Sequence, residues 1–229
     1  MRRRRPGGPL AALLLAALAA LAAPRVVAAA PGEGFAPLEP CTDASPPEER
    51  AGDRPEGMGP VRKGRRDGHL WAHARAYVHA PLSTVWSALH DPAVSRLGRV
   101  DEWSVRAADD ATPLAFRVAY RVRKLVFDVR WEVEYRGGAL AGSVDRLEEP
   151  GATIGFRWDK RSGTDHIRVL SASLVAHEDA PGVTSLELVS WLDADRTGER
   201  DAVATLTEWY ARIAAHVHDA RASPGEAGP

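Results

Sequence analysis

The chain contains a single cysteine, Cys41, and therefore cannot form an internal disulfide. Lysine is almost as scarce and occurs only at positions 63, 124 and 160. Past residue 30 the chain carries 25 Lys and Arg against 31 Asp and Glu, a formal net charge of −6. Binding to nucleic acid usually relies on a basic stripe, so this acidic balance gives no reason to expect a nucleic-acid partner.

Long apolar runs are also missing. The longest, Leu10 to Ala23, is shorter than the roughly 20 residues that cross a bilayer. It follows four arginines, Arg2 to Arg5, and precedes the small residues Val27 to Ala30, a pattern typical of a signal peptide. We therefore expect residues 1–30 to be a signal peptide and the mature protein to be exported, either to the periplasm or out of the cell. An uncleaved anchor is the less favoured alternative.

The sequence lacks the usual catalytic and metal-binding signatures, with neither a Gly-rich phosphate loop nor a serine elbow. His216 and His218 are two apart on a predicted helix, which is poor spacing for a metal. Asp193 and Asp195 resemble the start of a calcium loop, but Ala204 stands where a bidentate Glu is needed. We expect no metal, no cofactor and no catalytic residue.

Residues 31–68 are dense in Pro, Gly and charge. Such a composition buries too little apolar surface to offset the entropy of ordering, so it predicts a disordered linker. The four bases near its end favour a solvated charged segment over a transient contact with anionic membrane lipid. They are Arg62, Lys63, Arg65 and Arg66.

The stretch Ala76 to Pro92 predicts a strand that runs directly into a short amphipathic helix. Residues 74–79 alternate as in a strand. Pro81 suits the first turn of a helix, because its missing N–H would have no helical partner there. Pro92 disfavours helical geometry at Asp91 and so ends the helix. Its apolar residues fall on one face: Leu82, Val85, Trp86 and Leu89.

The middle of the chain predicts an antiparallel meander. Residues 115–122 and 125–135 alternate between apolar and charged side chains, as half-buried strands do. A strand is also predicted at 102–107, and further strand patterns follow at 143–147, 152–158, 167–177 and 183–192, separated by turn signals.

A long helix is predicted beyond Gly198. Its apolar residues recur at intervals of three and four, and this stripe must pack against another part of the protein. They are Leu206, Trp209, Tyr210, Ile213 and Val217.

The run V-H-A-P-L-S-T-V-W-S-A-L-H-D-P at 78–92 resembles the opening of START-like proteins. This superfamily of lipid-transfer domains, polyketide cyclases and plant allergens has the helix-grip fold. The resemblance implies an α+β protein in which a curved antiparallel sheet of about seven strands wraps around a long C-terminal helix, with one or two short helices after the first strand. We expect this domain to span residues 69–221, followed by a disordered tail at 222–229.

In START-like proteins the gap between the sheet and the final helix holds the ligand. The side chains predicted to face this gap in the present chain are mostly aromatic, and aromatic walls suit a lipid-like or polyketide-like molecule. A non-catalytic binding or transfer protein for a small hydrophobic molecule is the favoured interpretation, with possible transient membrane contact. The alternative is a cavity enzyme of the polyketide cyclase or aromatase type; a second alternative is that the aromatic residues fill a solid core. The predicted cavity lining is Phe116, Tyr120, Trp131, Tyr135, Phe156, Trp158, Trp209 and Ile213.

Overall fold

The computed structural model describes residues 34–49, 53–96, 100–108, 112–124 and 127–222. The predicted signal peptide lies outside these residues, as does the predicted tail beyond Ala222. No helix within the described part of the chain is long and apolar enough to cross a membrane.

The described residues form one nine-stranded antiparallel sheet and two α-helices. The strands are β1 (Gly57–Met58), β2 (Arg62–Arg66), β3 (His69–Val78), β4 (Glu102–Ala107), β5 (Leu114–Lys124), β6 (Phe127–Ala141), β7 (Thr153–Gly163), β8 (Ile167–Ala180) and β9 (Val183–Ala194). The helices are α1 (Leu82–Leu89) and α2 (Glu199–Ala222), with a 3₁₀ turn at Pro92–Ser95.

Strands β3 to β9 lie in the spatial order β3-β9-β8-β7-β6-β5-β4. Each strand from β4 to β8 pairs with the strand that follows it in the chain, and β9 pairs with β3, the first strand of the set. The α+β fold class is confirmed, and all seven of these strands are predicted from the sequence. The strand predicted at 143–147 is wrong: the Arg146 N–H donates to the Ser143 carbonyl at 3.1 Å, so these residues form a turn between β6 and β7.

The predicted strand-to-helix transition is present at β3 and α1. Leu82, Val85, Trp86 and Leu89 are all buried, which confirms the predicted apolar face of α1. The helix ends before Pro92, where the Asp91 side chain accepts a hydrogen bond from the Ala93 N–H and begins the 3₁₀ turn.

Helix α2 packs mainly against β3, β9 and α1. Its buried stripe repeats at helical spacing, so α2 covers the inner face of the sheet along its length. The stripe consists of Ala202, Leu206, Trp209, Ile213 and Val217. Tyr210, predicted on the same stripe, is half-buried and donates its hydroxyl to the Tyr77 carbonyl at 2.9 Å.

The segment predicted as a disordered linker differs from the structure. Strands β1 and β2 both fall within it and pair with β3. They cover the edge of β3 that β9 does not, and so protect an edge that would otherwise expose unpaired backbone groups. The four bases at 62–66 therefore lie on a strand.

Residues 34–49 also lie against the body of the protein, across the outer face of the sheet, and are called the strap below. Phe35 is buried over Gly138 of β6, where a Cβ would lie only 2.6 Å from the ring. The Leu38 N–H donates to Ser173 Oγ of β8 at 2.8 Å, and the Thr42 carbonyl is 2.5 Å from His73 Nδ1 of β3. A few apolar anchors and backbone hydrogen bonds thus order a segment whose composition predicts disorder.

Candidate functional site

The inner face of the sheet carries a cluster of aromatic rings in mutual contact. Tyr135 stacks on Phe116 with ring centroids 4.8 Å apart, and lies 5.9 Å from Phe156 and 6.1 Å from Trp158. Trp209 of α2 meets Phe156 and Trp158 at 6.2 and 5.9 Å. These distances are those of packed aromatic pairs, so the rings form a core between sheet and helix.

Two tyrosine hydroxyls lie inside this core. Tyr120 donates to the Ser95 carbonyl at 2.6 Å, and Tyr135 donates to Tyr120 Oη at 2.7 Å. Burial is the largest cause that raises the pKa of both tyrosines above the ordinary value. Both hydroxyls therefore stay protonated at neutral pH and tie the sheet to the 3₁₀ turn.

A small gap of about 10 Å³ lies between this core, the 3₁₀ turn and α2. It is no larger than the space one water molecule occupies. Tyr135, Trp158 and Trp209 border it.

A cavity of about 560 Å³ lies at one end of the aromatic core. It is enclosed by the ends of β5, β6, β8 and β9, the start of α2 and the residue Val100 before β4. Its apolar wall is largely aliphatic: Val100, Val122, Val129, Trp131, Ile167, Leu170, Leu192 and Ala194.

The mouth of the cavity is polar. Its lining includes His166, Asp195, Arg196, Thr197, Asp201 and Thr205. Asp195 accepts from Arg168 at 2.7 Å and is 2.9 Å from His166 Nδ1. The hydrogen bond with His166, followed by that from Arg168, lowers the pKa of Asp195 below its usual range, so the carboxylate is charged at neutral pH.

The start of α2 forms another side of this mouth. Asp201 accepts the Gly198 N–H at 2.8 Å, which caps the helix. Thr197 and Thr205 donate their hydroxyls to backbone carbonyls at 2.7 and 2.9 Å. Each hydroxyl oxygen keeps acceptor capacity, so the rim offers hydrogen-bond acceptors to the polar end of a bound molecule.

All eight predicted lining residues are buried on the inner face or on α2. Trp131 alone among them lines the 560 Å³ cavity, where it also stacks on Tyr120 at 5.3 Å. The other seven do not line this cavity; they pack around one another or beneath α2. Aromatic side chains fill the centre of the fold, and the open volume lies where aliphatic side chains replace them.

Sequence reasoning missed most of the cavity wall, although part of the signal was present. Val122 and Val129 continue the apolar faces of the two strands that carry Tyr120 and Trp131. Nothing in the chain's local pattern marks Ile167 or Leu192 as facing them, because that proximity comes from the curling of the sheet.

Ser190 is buried on the inner side of the sheet, in the alternation that includes Leu188 and Leu192. Ser173 faces the strap instead.

Within the described residues, no group of three or more His, Cys, Asp or Glu could hold a metal ion. Asp193 and Asp195, which resemble the start of a calcium loop, both pair with Arg168 at 2.7 Å. Both carboxylates are therefore engaged in ion pairs within the fold.

Comparison with protein-family models gives no match. Comparison with curated proteins gives none either. Solved structures do show similarity. Human StAR-related lipid transfer protein 5 has 13% identity and a TM-score of 0.49 over 73% of this chain and 86% of that chain. A START superfamily protein from Mycobacterium smegmatis has 14% identity and a TM-score of 0.47 over 67% and 99%. The Zhui aromatase/cyclase from Streptomyces sp. R1128 has 13% identity and a TM-score of 0.45 over 70% and 98%.

The assignment of the fold rests on the topology. A seven-stranded antiparallel meander is followed by a long helix that packs on its inner face, and a short helix and a 3₁₀ turn come after the first strand of that meander. The chain has the START-like, helix-grip fold.

Proposed function

We propose that this protein binds a small hydrophobic molecule with a polar end in the 560 Å³ cavity. The observation that carries the proposal is the division of the cavity into an aliphatic wall and a polar rim at the start of α2. A bound molecule would place its apolar body against Val129, Leu170 and Leu192, and its polar end beside Thr197 and Thr205.

The volume suits a ligand of modest size, since small-molecule pockets usually measure about 300–1,000 Å³. A ligand that removes on the order of 300 Å² of apolar surface from water gains about 7 kcal/mol at 25 cal/mol/Å². Loss of translational and rotational freedom on association reduces this gain. We expect affinities in the micromolar range or weaker, which fits a carrier that must release its cargo.

The first experiment is native mass spectrometry of the protein purified from its own cells, followed by denaturing extraction. A reproducible added mass that extracts as a lipid-like compound supports the proposal. The second is a fluorescence titration with dansyl-undecanoic acid, a probe with an apolar chain and a carboxylate. If the purified protein carries no compound and also fails to bind the probe, the carrier proposal is wrong.

A matched pair of variants places the binding in the cavity. Ala194 lines the mouth, so Ala194→Trp puts an indole into the space the ligand needs. Ala180 lies at the opposite end of β8, beside the β8–β9 turn, so Ala180→Trp adds the same ring away from the cavity. We expect Ala194→Trp to weaken probe binding at least about tenfold, and Ala180→Trp to change it by less than about twofold. Equal effects would place the probe elsewhere.

A cavity enzyme is the second candidate function, and the His166–Asp195 pair at the mouth favours it. A histidine bonded to a carboxylate is a common acid–base arrangement. Incubating the extracted compound with fresh protein tests this function. A product of different mass that is not formed by His166→Gln supports an enzyme, whereas an unchanged compound supports a carrier.

We propose, in addition, that the mature protein begins near residue 31 and acts outside the cytoplasm. The charged start, the Leu/Ala run and the small residues that follow support this proposal. Intact mass measurement of the protein from its own cells tests it. A mass that includes residues 1–30 would contradict cleavage, and recovery in the cytoplasmic fraction would contradict export.

A further inference from the structure

Strand β4 forms one edge of the sheet. Among the described residues it pairs only with β5, so its other side presents backbone N–H and C=O groups that no described strand satisfies. Five of its six residues are exposed, and Trp103 is half-buried. The opposite end of the sheet differs, because β1 and β2 cover the free side of β3. An open edge such as that of β4 is a template for pairing with another strand.

The two faces of β4 carry different side chains. Glu102, Ser104 and Arg106 lie on the outer face of the sheet, in register with charged and small residues of β5. Trp103 and Val105 lie on the inner face, in register with its apolar residues. Val105 is exposed, and among the described residues it is the one large apolar side chain that is. The open edge therefore presents an apolar pair on one face and two opposite charges on the other.

The two charged residues of β4 also make ion pairs within the chain. Glu102 lies 3.3 Å from Arg121 and 2.5 Å from Arg123. Arg106 pairs with Glu132 of β6. A carboxylate accepts from more than one donor, and a guanidinium group has five N–H donors. Each of the two charges therefore retains capacity for a partner on the open side of β4.

Symmetry restricts how β4 can pair with a second copy of itself. A two-fold axis perpendicular to the strands makes the pair antiparallel, and one residue lies opposite its own copy because paired residues share a face of the sheet. With Ser104 on the axis, Glu102 lies opposite Arg106 of the second copy. Trp103 then lies opposite Val105 of that copy on the other face. Moving the axis to Trp103 or Val105 puts one of the two charges opposite Ser104 instead.

We propose that β4 pairs with β4 of a second copy of this chain, antiparallel and centred on Ser104, so that the two sheets become continuous in a symmetric dimer. Opposite charges and an aromatic ring beside a β-branched side chain are both favourable cross-strand pairs, and the symmetry makes each pair occur twice. The complementarity of β4 about its own centre favours a second copy over an unrelated strand. The proposal is independent of ligand binding, because it rests on the edge strand alone.

The expected dimer is weak. One pair of six-residue strands buries much less surface than the roughly 1,600 Å² of a standard protein interface, so we expect a dissociation constant on the order of 10–100 μM. Sedimentation velocity of the purified protein from roughly 1 to 500 μM brackets that range. The sedimentation coefficient should rise from the monomer value to the dimer value. At the lowest concentrations the monomer predominates, so stability measured there is that of the single chain. A coefficient that stays at the monomer value throughout overturns the proposal.

Cysteine cross-linking tests the register. In a Cys41→Ser background, which removes the native thiol, Ser104→Cys puts two thiols on the axis. The Cα atoms of paired residues lie about 4.5–5.5 Å apart, a distance that a disulfide spans. Ala107→Cys is the matched control, because residue 107 is exposed on the same strand but three residues from the axis.

The two copies of residue 107 would lie about 20 Å apart in the proposed dimer. Copper–phenanthroline oxidation near the dissociation constant should therefore cross-link Ser104→Cys at least about tenfold faster than Ala107→Cys. Equal rates, or a failure of Ser104→Cys to cross-link, overturn the proposed pairing.

Charge reversal tests the pairing of Glu102 with Arg106. Glu102→Arg and Arg106→Glu each put like charges opposite one another twice in the dimer, so each should weaken association at least about tenfold. The double variant restores opposite charges across the interface and should recover most of that loss. Arg66→Glu on β2, at the other end of the sheet, is the control and should change association by less than about twofold.

The double variant also separates a lost interface from a damaged fold. Within the chain it reverses both partners of the native ion pairs, so a loss caused by local damage would be greater in the double variant than in either single variant. Weaker association of the double variant than of both single variants overturns the proposal, as does an equal loss in Arg66→Glu.

Discussion

Phe156 lies within the packed aromatic core, and its truncation tests whether it also belongs to the ligand site. Its side chain is fully buried on β7, with the rings of Tyr135 and Trp209 at 5.9 and 6.2 Å. The backbone of β6 also lies close, since a Cβ on Gly137 would be 3.1 Å from the Phe156 ring. Phe156→Ala therefore removes a ring that its surroundings can only partly replace.

Phe-to-Ala changes at such sites typically lower the free energy of unfolding by about 3–5 kcal/mol, the sum of lost transfer energy and the cavity left behind. For a domain of this size each 1 kcal/mol lowers the midpoint of thermal unfolding by about 2–4 °C. The expected decrease is therefore roughly 6–20 °C. The affinity for dansyl-undecanoic acid should change by less than about twofold, because Phe156 does not line the 560 Å³ cavity.

Urea denaturation and calorimetry measure the stability, and fluorescence titration measures the affinity. Val105→Ala is the control for stability, because Val105 is 41% exposed and its truncation should change the free energy of unfolding by no more than about 0.5 kcal/mol. The reasoning is refuted if Phe156→Ala weakens the probe about tenfold while unfolding changes by less than about 1 kcal/mol. That result would make the ring a wall of the ligand site.

Three further predictions follow from other parts of the structure. Tyr120→Phe removes a hydroxyl that donates to the Ser95 carbonyl at 2.6 Å, and should lower the free energy of unfolding by about 1–3 kcal/mol in urea denaturation; no change would contradict the buried hydroxyl pair. Gly138→Ala places a methyl group against the Phe35 ring, and limited proteolysis should then cut the strap faster than in wild type; equal rates would show that the strap is not packed there. The His73 hydrogen bond lowers the pKa of Glu187 below its ordinary value of 4.5, so its contribution to stability is present above that value and is lost as pH falls further. Glu187→Gln should therefore flatten the acid side of the stability curve measured by thermal unfolding, and an unchanged curve would exclude this contribution.

The strap shows how a sequence pattern can fail. Its composition predicts disorder because few of its residues can bury apolar surface. Phe35 is an exception, and it meets a glycine at 138, more than 100 residues away, whose missing side chain makes room for the ring. A contact of this kind cannot be read from local composition, because it depends on which distant residues the sheet brings beneath the segment.

From β3 to α2, the sequence by itself determined the order and type of the elements that form. Alternation along β5 and β6 and the stripe that begins at Leu206 fix which faces are apolar, and apolar faces must be buried against one another. Pro81 and Pro92 mark the limits of α1, because they restrict the backbone locally.

Only the tertiary structure decided where open volume remains. Sequence patterns predict that Phe116, Tyr135 and Trp158 face inward, but whether inward side chains fill the interior depends on how closely the sheet and α2 approach. The aromatic rings meet and close the centre, while the cavity opens at the strand ends that carry Val129 and Leu192. The alternation of apolar and polar residues shows which face of a single element is buried. A cavity depends on how several elements pack together, so the sequence pattern alone could not locate the cavity.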